Sequence, residues 1–394
     1  MIARGLVAAL LAGLVAACGA PQTAPAPLVS YAGRPVRLTT HWTSTLEPIP
    51  AFEKRAEQFG GVAYDPGSQT VVAALASGRI IGLDAGSGET RWSVAGEAPA
   101  GGAPVIADGL VYVGVHDGTF RALRATTGEL VWKASVAGSF NSTPLVTGDL
   151  VVSVLSGNSV VALKRATGEV AWRRDRAAGN AIALQSDATV TAAGDDLFAG
   201  YADGNLERLD RTGKSIWCVP LARNADRFKD VDTKPLVLGD TVYAASFGGG
   251  LFAISRAQGS VVWQQPLKGI SQLAQAEESI VVITGDAQLR WLSPETGETN
   301  TAFALEEVVA DGLVVSNGYL MVSTSERGLY LLDSKTPWVH GRLDAGAGFS
   351  SAVAVSGSML FALTDGGSVL RVDLSLFCGG LHLALDPVVQ RPTA

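Results

Sequence analysis

The stretch that decides the fold is residues 103–136, APVIADGLVYVGVHDGTFRALRATTGELVWKASV. It opens on Pro104-Val105-Ile106, turns at Asp108-Gly109, alternates through 110–115 and turns again at Asp117-Gly118. A further run over 119–124 leads to Thr127-Gly128-Glu129 and a last segment that carries Trp132. Apolar alternation between glycine turns is the pattern of short, half-buried strands joined by tight hairpins. Four strands per unit follow.

The unit recurs along the chain. Its tryptophans are Trp92, Trp132, Trp172, Trp217 and Trp263, spaced by 40, 40, 45 and 46 residues. A turn column keeps step with them: Ser87-Gly88-Glu89, Thr127-Gly128-Glu129, Thr167-Gly168-Glu169, Thr212-Gly213-Lys214, Gln258-Gly259-Ser260 and Thr296-Gly297-Glu298. After Gly297 the pattern weakens, with Phe303 near the next expected Trp position and Trp338 following Pro337 in the unit after it. One such unit buries too little surface to stand alone, whereas units stacked radially cover each other's faces. Residues 36–43, with Trp42, read as a fourth strand lacking its blade, and 350–373 supply three strands lacking a fourth. Joined, they make an eighth unit. The predicted fold is therefore all-β: an eight-bladed β-propeller of four-stranded antiparallel blades, closed by the N-terminal strand. Turn geometry and packing between blades account for the Gly and Trp columns without invoking a ligand.

Composition removes several function classes. The 394 residues are 17% charged with a formal net charge of −7 and no Lys/Arg cluster, so the basic stripe that phosphate neutralisation requires is missing and nucleic acid is set aside. Cys18, Cys218 and Cys378 share no C-x-x-C spacing and the four histidines are scattered, so neither a metal site nor a cofactor is expected. In an oxidising compartment Cys218 and Cys378 would pair if they came within reach.

The N-terminus reads as an address. Arg4 precedes an apolar run over 6–14, about half of the ~20 residues that a spanning helix needs, and Val15-Ala16-Ala17-Cys18 places small residues before a cysteine. Residues 1–17 are expected to be a cleaved signal. The stretch resembles a bacterial lipobox, which implies that Cys18 is acylated and, with Gly19 rather than Asp after it, that the anchor lies in the outer membrane. Residues 18–35, with Pro21, Pro25, Pro27 and Pro35, read as an extended tether, 36–373 as the propeller, and 374–394 as a C-terminal extension.

The Thr-Gly-x-x-x-Trp repeat is similar to the pyrroloquinoline-quinone type of blade, which serves both dehydrogenases and non-enzymatic proteins. A narrower match is the run 226–237, DRFKDVDTKPLV, followed by Val242-Tyr243-Ala244. It resembles the Asp-Val-Asp-Thr-x-Pro segment of the BamB family, lipoproteins of the machinery that assembles β-barrels in the outer membrane. With the lipobox, the eight units and the N-terminal Trp strand, the resemblance covers nearly the whole mature chain. It implies a non-catalytic scaffold on the periplasmic face of the outer membrane, bound to the periplasmic part of a BamA-like barrel-forming subunit and aiding insertion of nascent barrel proteins. It also implies two partner-binding stretches. One carries over to Asp230 and Asp232. The other, a Leu-x-Leu-Arg stretch, falls on Ile182, Ala183, Leu184 and Gln185, where the second leucine is kept and the arginine is replaced.

The residues themselves point the same way, since 173–187 and 221–234 are longer than the other connections and long loops on a rigid scaffold are where binding tends to reside. Ile182 and Leu184 would offer an apolar patch; Arg223, Arg227, Lys229, Asp230 and Asp232 would rim it. The competing reading makes Ile182 and Leu184 core residues and Asp232 a turn cap. Two other functions remain open at this point: a lipoprotein propeller serving a different envelope partner, and a quinoprotein dehydrogenase, which would need a buried quinone, a calcium site and a catalytic aspartate.

Overall fold

Each alternating segment pairs with the next as an antiparallel hairpin, giving eight separate sheets. In the computed structural model the described residues are 36–47, 60–156, 158–176, 189–222, 229–231, 233–305, 310–326, 328–378 and 381–384. The stretch quoted first forms Val105–Ala107, Leu110–Gly114, Thr119–Arg124 and Leu130–Ser135, from the axis of the ring outward. Blades 1 to 7 occupy residues 61–94, 105–135, 145–175, 191–220, 236–265, 272–304 and 310–343. Blade 8 takes Ala354–Ser356, Met359–Leu363 and Ser368–Cys378, and its outer strand is Val36–Thr45, paired antiparallel to Ser368–Cys378. The N-terminal strand closes the ring, as the sequence predicts. No helix occurs among the described residues.

Period-two alternation sends successive side chains of a central strand to opposite faces, so each blade feeds two cores. Val71 and Ala73 join the cluster shared with blade 8, while Val72 and Ala74 join the one shared with blade 2. Eight such clusters fill the eight junctions. The sheets are therefore held by packing face to face between blades rather than by one central core.

The two columns of the sequence turn out to be two halves of a single contact. The Trp92 indole N–H donates to the carbonyl of Ala125 in blade 2 at 2.9 Å, and its ring lies over Gly128. Trp42, Trp132, Trp172, Trp217 and Trp263 make the same bond to Ala85, Arg165, Arg211, Arg256 and Pro294 of the following blade, at 2.8–3.0 Å. Glycine is required there twice over. At Gly128 φ is +71°, and an added Cβ would sit 2.6 Å from the Trp92 ring. A bulge at the residue before each of these tryptophans turns the outer strand so that the indole faces the neighbouring blade.

The weakened end of the repeat is corrected in detail. In blade 6 the column position is Thr301, opposite Trp291, and not Phe303; the indole comes from Trp291 in the third strand and donates to the Ser334 carbonyl at 2.8 Å. Trp338 belongs to the turn column, for its carbonyl accepts from Asp333 N–H where Glu89 accepts in blade 1. Pro337 holds the glycine place there, so the surface that would seat a column tryptophan is gone. In blade 7 the column residue is Gly341, opposite Leu331, and Leu38 of the closing strand packs toward it. Blade 8 has no turn before its outer strand and thus offers no glycine to a tryptophan of blade 7.

The third strand of blade 8 runs through residue 373 to Cys378, and Leu381–Ala384 folds back on it, so the expected C-terminal extension begins inside a blade strand. Cys218 is a free thiol in the outer strand of blade 4, whereas Cys378 lies in blade 8 across the ring, which separates the two cysteines.

Truncating Trp92 to alanine should cost about 3–5 kcal/mol, the usual range for removing a large buried aromatic, seen as a lower denaturant midpoint. Deleting residues 36–43 should lower the melting temperature markedly, and unchanged melting would exclude the closing strand as a latch.

Candidate functional site

The loop face between blades 3, 4 and 5 departs from the apolar rule of the other junctions. Glu207, in the third strand of blade 4, is fully buried. Arg174, from the outer strand of blade 3, donates to it at 2.7 Å, and the Tyr201 hydroxyl donates at 2.9 Å. Arg176 stacks on the Tyr201 ring with its guanidinium carbon 4.9 Å from the centroid and donates to Asp203 at 2.9 Å. Burial opposes the Glu207 charge, but hydrogen bonds from Arg174, Ser215 and Tyr201 outweigh it and hold the carboxyl below its ordinary value. Burial, and then the adjacent Glu207 charge, pushes the Tyr201 hydroxyl far up, so it stays a donor. Cys218, 3.3 Å from Arg176, has its thiol pushed up by burial.

The segment with the Asp-Val-Asp motif lies against this cluster. Val231 N–H donates to the Tyr201 carbonyl at 3.1 Å, Phe247 N–H donates to the Asp230 carbonyl at 2.9 Å, and the Ser246 hydroxyl donates to the Lys229 carbonyl at 3.0 Å. Thr233 Oγ1 accepts from Ala245 N–H at 3.1 Å. The segment is thus a strap laced to blade 4 on one side and blade 5 on the other. The Asp230 side chain is fully buried, so it shapes the strap from beneath instead of rimming it. Asp232 lies outside the described residues, as do Ile182, Leu184, Gln185, Arg223, Arg227 and Cys18. Beside the strap, Phe247 is exposed to 37%.

Sequence reasoning found the strap and missed the cluster. The signal was present: the third strand of blade 2 reads Phe120-Arg121-Ala122-Leu123, and blade 4 has Leu206-Glu207-Arg208-Leu209 in its place, with two successive charges in a buried strand. Among the described residues there is no group of three or more His, Cys, Asp or Glu that could hold a metal ion.

Comparison with known proteins bears on this geometry. The family model described as outer membrane protein assembly factor BamB matches residues 39–132, 76–303 and 285–375, which together span the propeller. The chain belongs to the BamB family. Relatives carrying that name include those of Legionella pneumophila, 24% identical over 50% of this chain and 53% of the relative, and Escherichia coli, 26% identical over 47% and 50%. The chain spans about half the length of these curated relatives. The crystal structure of BamB from Moraxella catarrhalis superposes with a TM-score of 0.72 at 20% identity, covering 84% of this chain and all of that one. A quinohemoprotein alcohol dehydrogenase from Pseudomonas putida superposes with 0.69 at 12% identity, over 90% of this chain and 78% of that one, a likeness of fold alone. The blades are PQQ-like repeats of a BamB-family β-propeller.

Replacing Glu207 by glutamine should destabilise the protein at neutral pH by roughly 3 kcal/mol, because the arginines lose a buried partner. A carboxyl held low stabilises the fold above its unfolded value near ~4.3 and ceases to do so as pH falls through the folded value. The gap in unfolding free energy between wild type and Glu207→Gln should therefore narrow on acidification, as measured by urea titrations across the acid range.

Proposed function

We propose that this BamB-family chain is a non-catalytic scaffold of outer-membrane β-barrel assembly, binding the periplasmic part of a BamA-like barrel-forming subunit and assisting nascent barrel proteins. The observation that carries the reading is the strap over Lys229–Val231. Backbone bonds to two blades hold it in a fixed shape, and a preformed surface binds at a lower ordering cost than a loose loop. The family to which the chain belongs is named for the assembly of outer-membrane proteins, and the strap is the segment that carries its Asp-Val-Asp motif.

On this reading Leu184 and Ile182 provide the apolar part of the contact, Gln185 takes the place of a cation, Asp232 contributes charge and the buried Asp230 fixes the strap. Acylated Cys18 keeps the propeller on the periplasmic face of the outer membrane, with 18–35 as tether. Leu184→Glu, or Asp230→Ala together with Asp232→Ala, should cut capture of the barrel-forming subunit in pull-downs from detergent-solubilised envelopes while the melting profile stays cooperative. Capture at wild-type levels by both variants would discard these sites. Cys18→Ser should release the protein from the membrane fraction; continued membrane association would remove the anchor from the account.

A further inference from the structure

Three junctions of the ring seat an arginine where the hairpin joining the first two strands of one blade meets the turn before the outer strand of the next. The arginine is the residue whose carbonyl receives the indole N–H. Arg165 donates to the Tyr112 hydroxyl at 3.0 Å and to Asp108 at 2.5 Å. Arg211 donates to the Thr147 carbonyl at 3.2 Å and to Asp149 at 2.8 Å, and Arg256 to the Ala193 carbonyl at 2.7 Å and to Asp196 at 2.8 Å. Each guanidinium thus joins a carboxylate to a neutral oxygen of the preceding blade.

Between blades 5 and 6 the same place falls to Pro294, and a cleft of about 710 Å³ opens there. The acceptors remain. Leu238 is the counterpart of Thr147 and Ala193 at the end of the first strand, and Tyr243 is the counterpart of Tyr112 in the second. The Tyr243 hydroxyl donates to the Pro294 carbonyl at 3.1 Å, which leaves a lone pair on its oxygen to accept. At Gly148 an added Cβ would lie 2.4 Å from a guanidinium nitrogen of Arg211, whereas at Gly239, its counterpart, it would meet nothing within 4 Å. Glu277, Glu278 and Glu295 line the cleft, and among the described residues no cationic side chain pairs with any of them.

We infer that the cleft between blades 5 and 6 binds an arginine side chain presented by a second protein, supplied from outside where three other junctions supply it from the next blade. The guanidinium fork can reach a carboxylate and a neutral oxygen together, as it does at those junctions, whereas an ammonium is a point charge. Exposed carboxylates hold a free cation weakly, and the internal arginines are seated because a turn delivers them. The occupant is likewise a residue carried on a polypeptide. The hairpins and turns that form the cleft lie at the opposite end of the strands from the 201–204 turn, which joins the second and third strands of blade 4 and anchors the strap. The partner is therefore distinct from the barrel-forming subunit, and the inference stands or falls independently of the proposed function.

The test titrates the full-length protein in detergent with the capped peptide Ala-Arg-Ala at millimolar concentration, and with the same peptide carrying lysine or citrulline, while amide NMR signals are followed. The arginine peptide should shift Leu238, Tyr243 and Asn300 and leave Val72 in blade 1 unmoved, and the other two peptides should bind at least about tenfold more weakly. Glu278→Gln together with Glu295→Gln should weaken the arginine peptide by about tenfold. Pro294→Arg, which gives this junction the internal arginine of the other three, should fill the cleft and abolish binding, whereas Pro294→Ala should bind as wild type. Thermal melting confirms that each variant is folded. Absence of shifts at the cleft, equal binding of the lysine or citrulline peptide, wild-type binding by Pro294→Arg, or equal loss in Pro294→Ala would overturn the inference.

Discussion

A tryptophan of one blade closing over a glycine of the next, with its N–H on a carbonyl in the same turn, is the contact on which the ring depends. It joins an apolar face, a hydrogen bond and a positive φ at one point, so neither partner can change alone. The C-terminal part of the molecule bears this out. Where Pro337 replaces the glycine, the column tryptophan gives way to Thr301 and an indole arrives from Trp291 on the adjacent strand. Where blade 8 lacks the turn altogether, blade 7 has Gly341 and the closing strand fills the space with Leu38. Trp42 then completes the circuit by docking on blade 1.

The ionic contacts made at the same turn are unequal around the ring. In blades 3, 4 and 5 the residue whose carbonyl receives the indole N–H is Arg165, Arg211 or Arg256, and each reaches back to an aspartate of the preceding blade. Asp108 and Asp149 are largely exposed and contribute little. Asp196 is mostly buried and holds both Arg208 and Arg256, tying blade 4 to blade 5 at the end of the strand opposite the strap's anchor at Tyr201. Blade 4 is thus joined to both neighbours by directional contacts, to blade 3 through Glu207 and to blade 5 through Asp196.

Much of the fold was legible because the contact that builds it has a sequence signature at fixed spacing. Strand number, blade number and the closing role of the N-terminal strand all follow from two columns in register. Phe303 and Trp338 were misplaced because a one-dimensional repeat shows which residue types recur and not which strand supplies the ring. The strap could be found by its motif. Its supporting cluster could not, because the significance of Glu207 depends on Arg174 and Tyr201 arriving from other strands, and the burial of Asp230 depends on blade 5 lying over it.

The direct measurement is a cryo-electron microscopy structure of the full chain bound to the periplasmic domains of the barrel-forming subunit. The account predicts a footprint centred on the loops that flank blade 4, with Leu184 and the strap in contact and the eight blades unchanged. A footprint on the opposite face of the ring, or a partner threaded into its central channel, would contradict it.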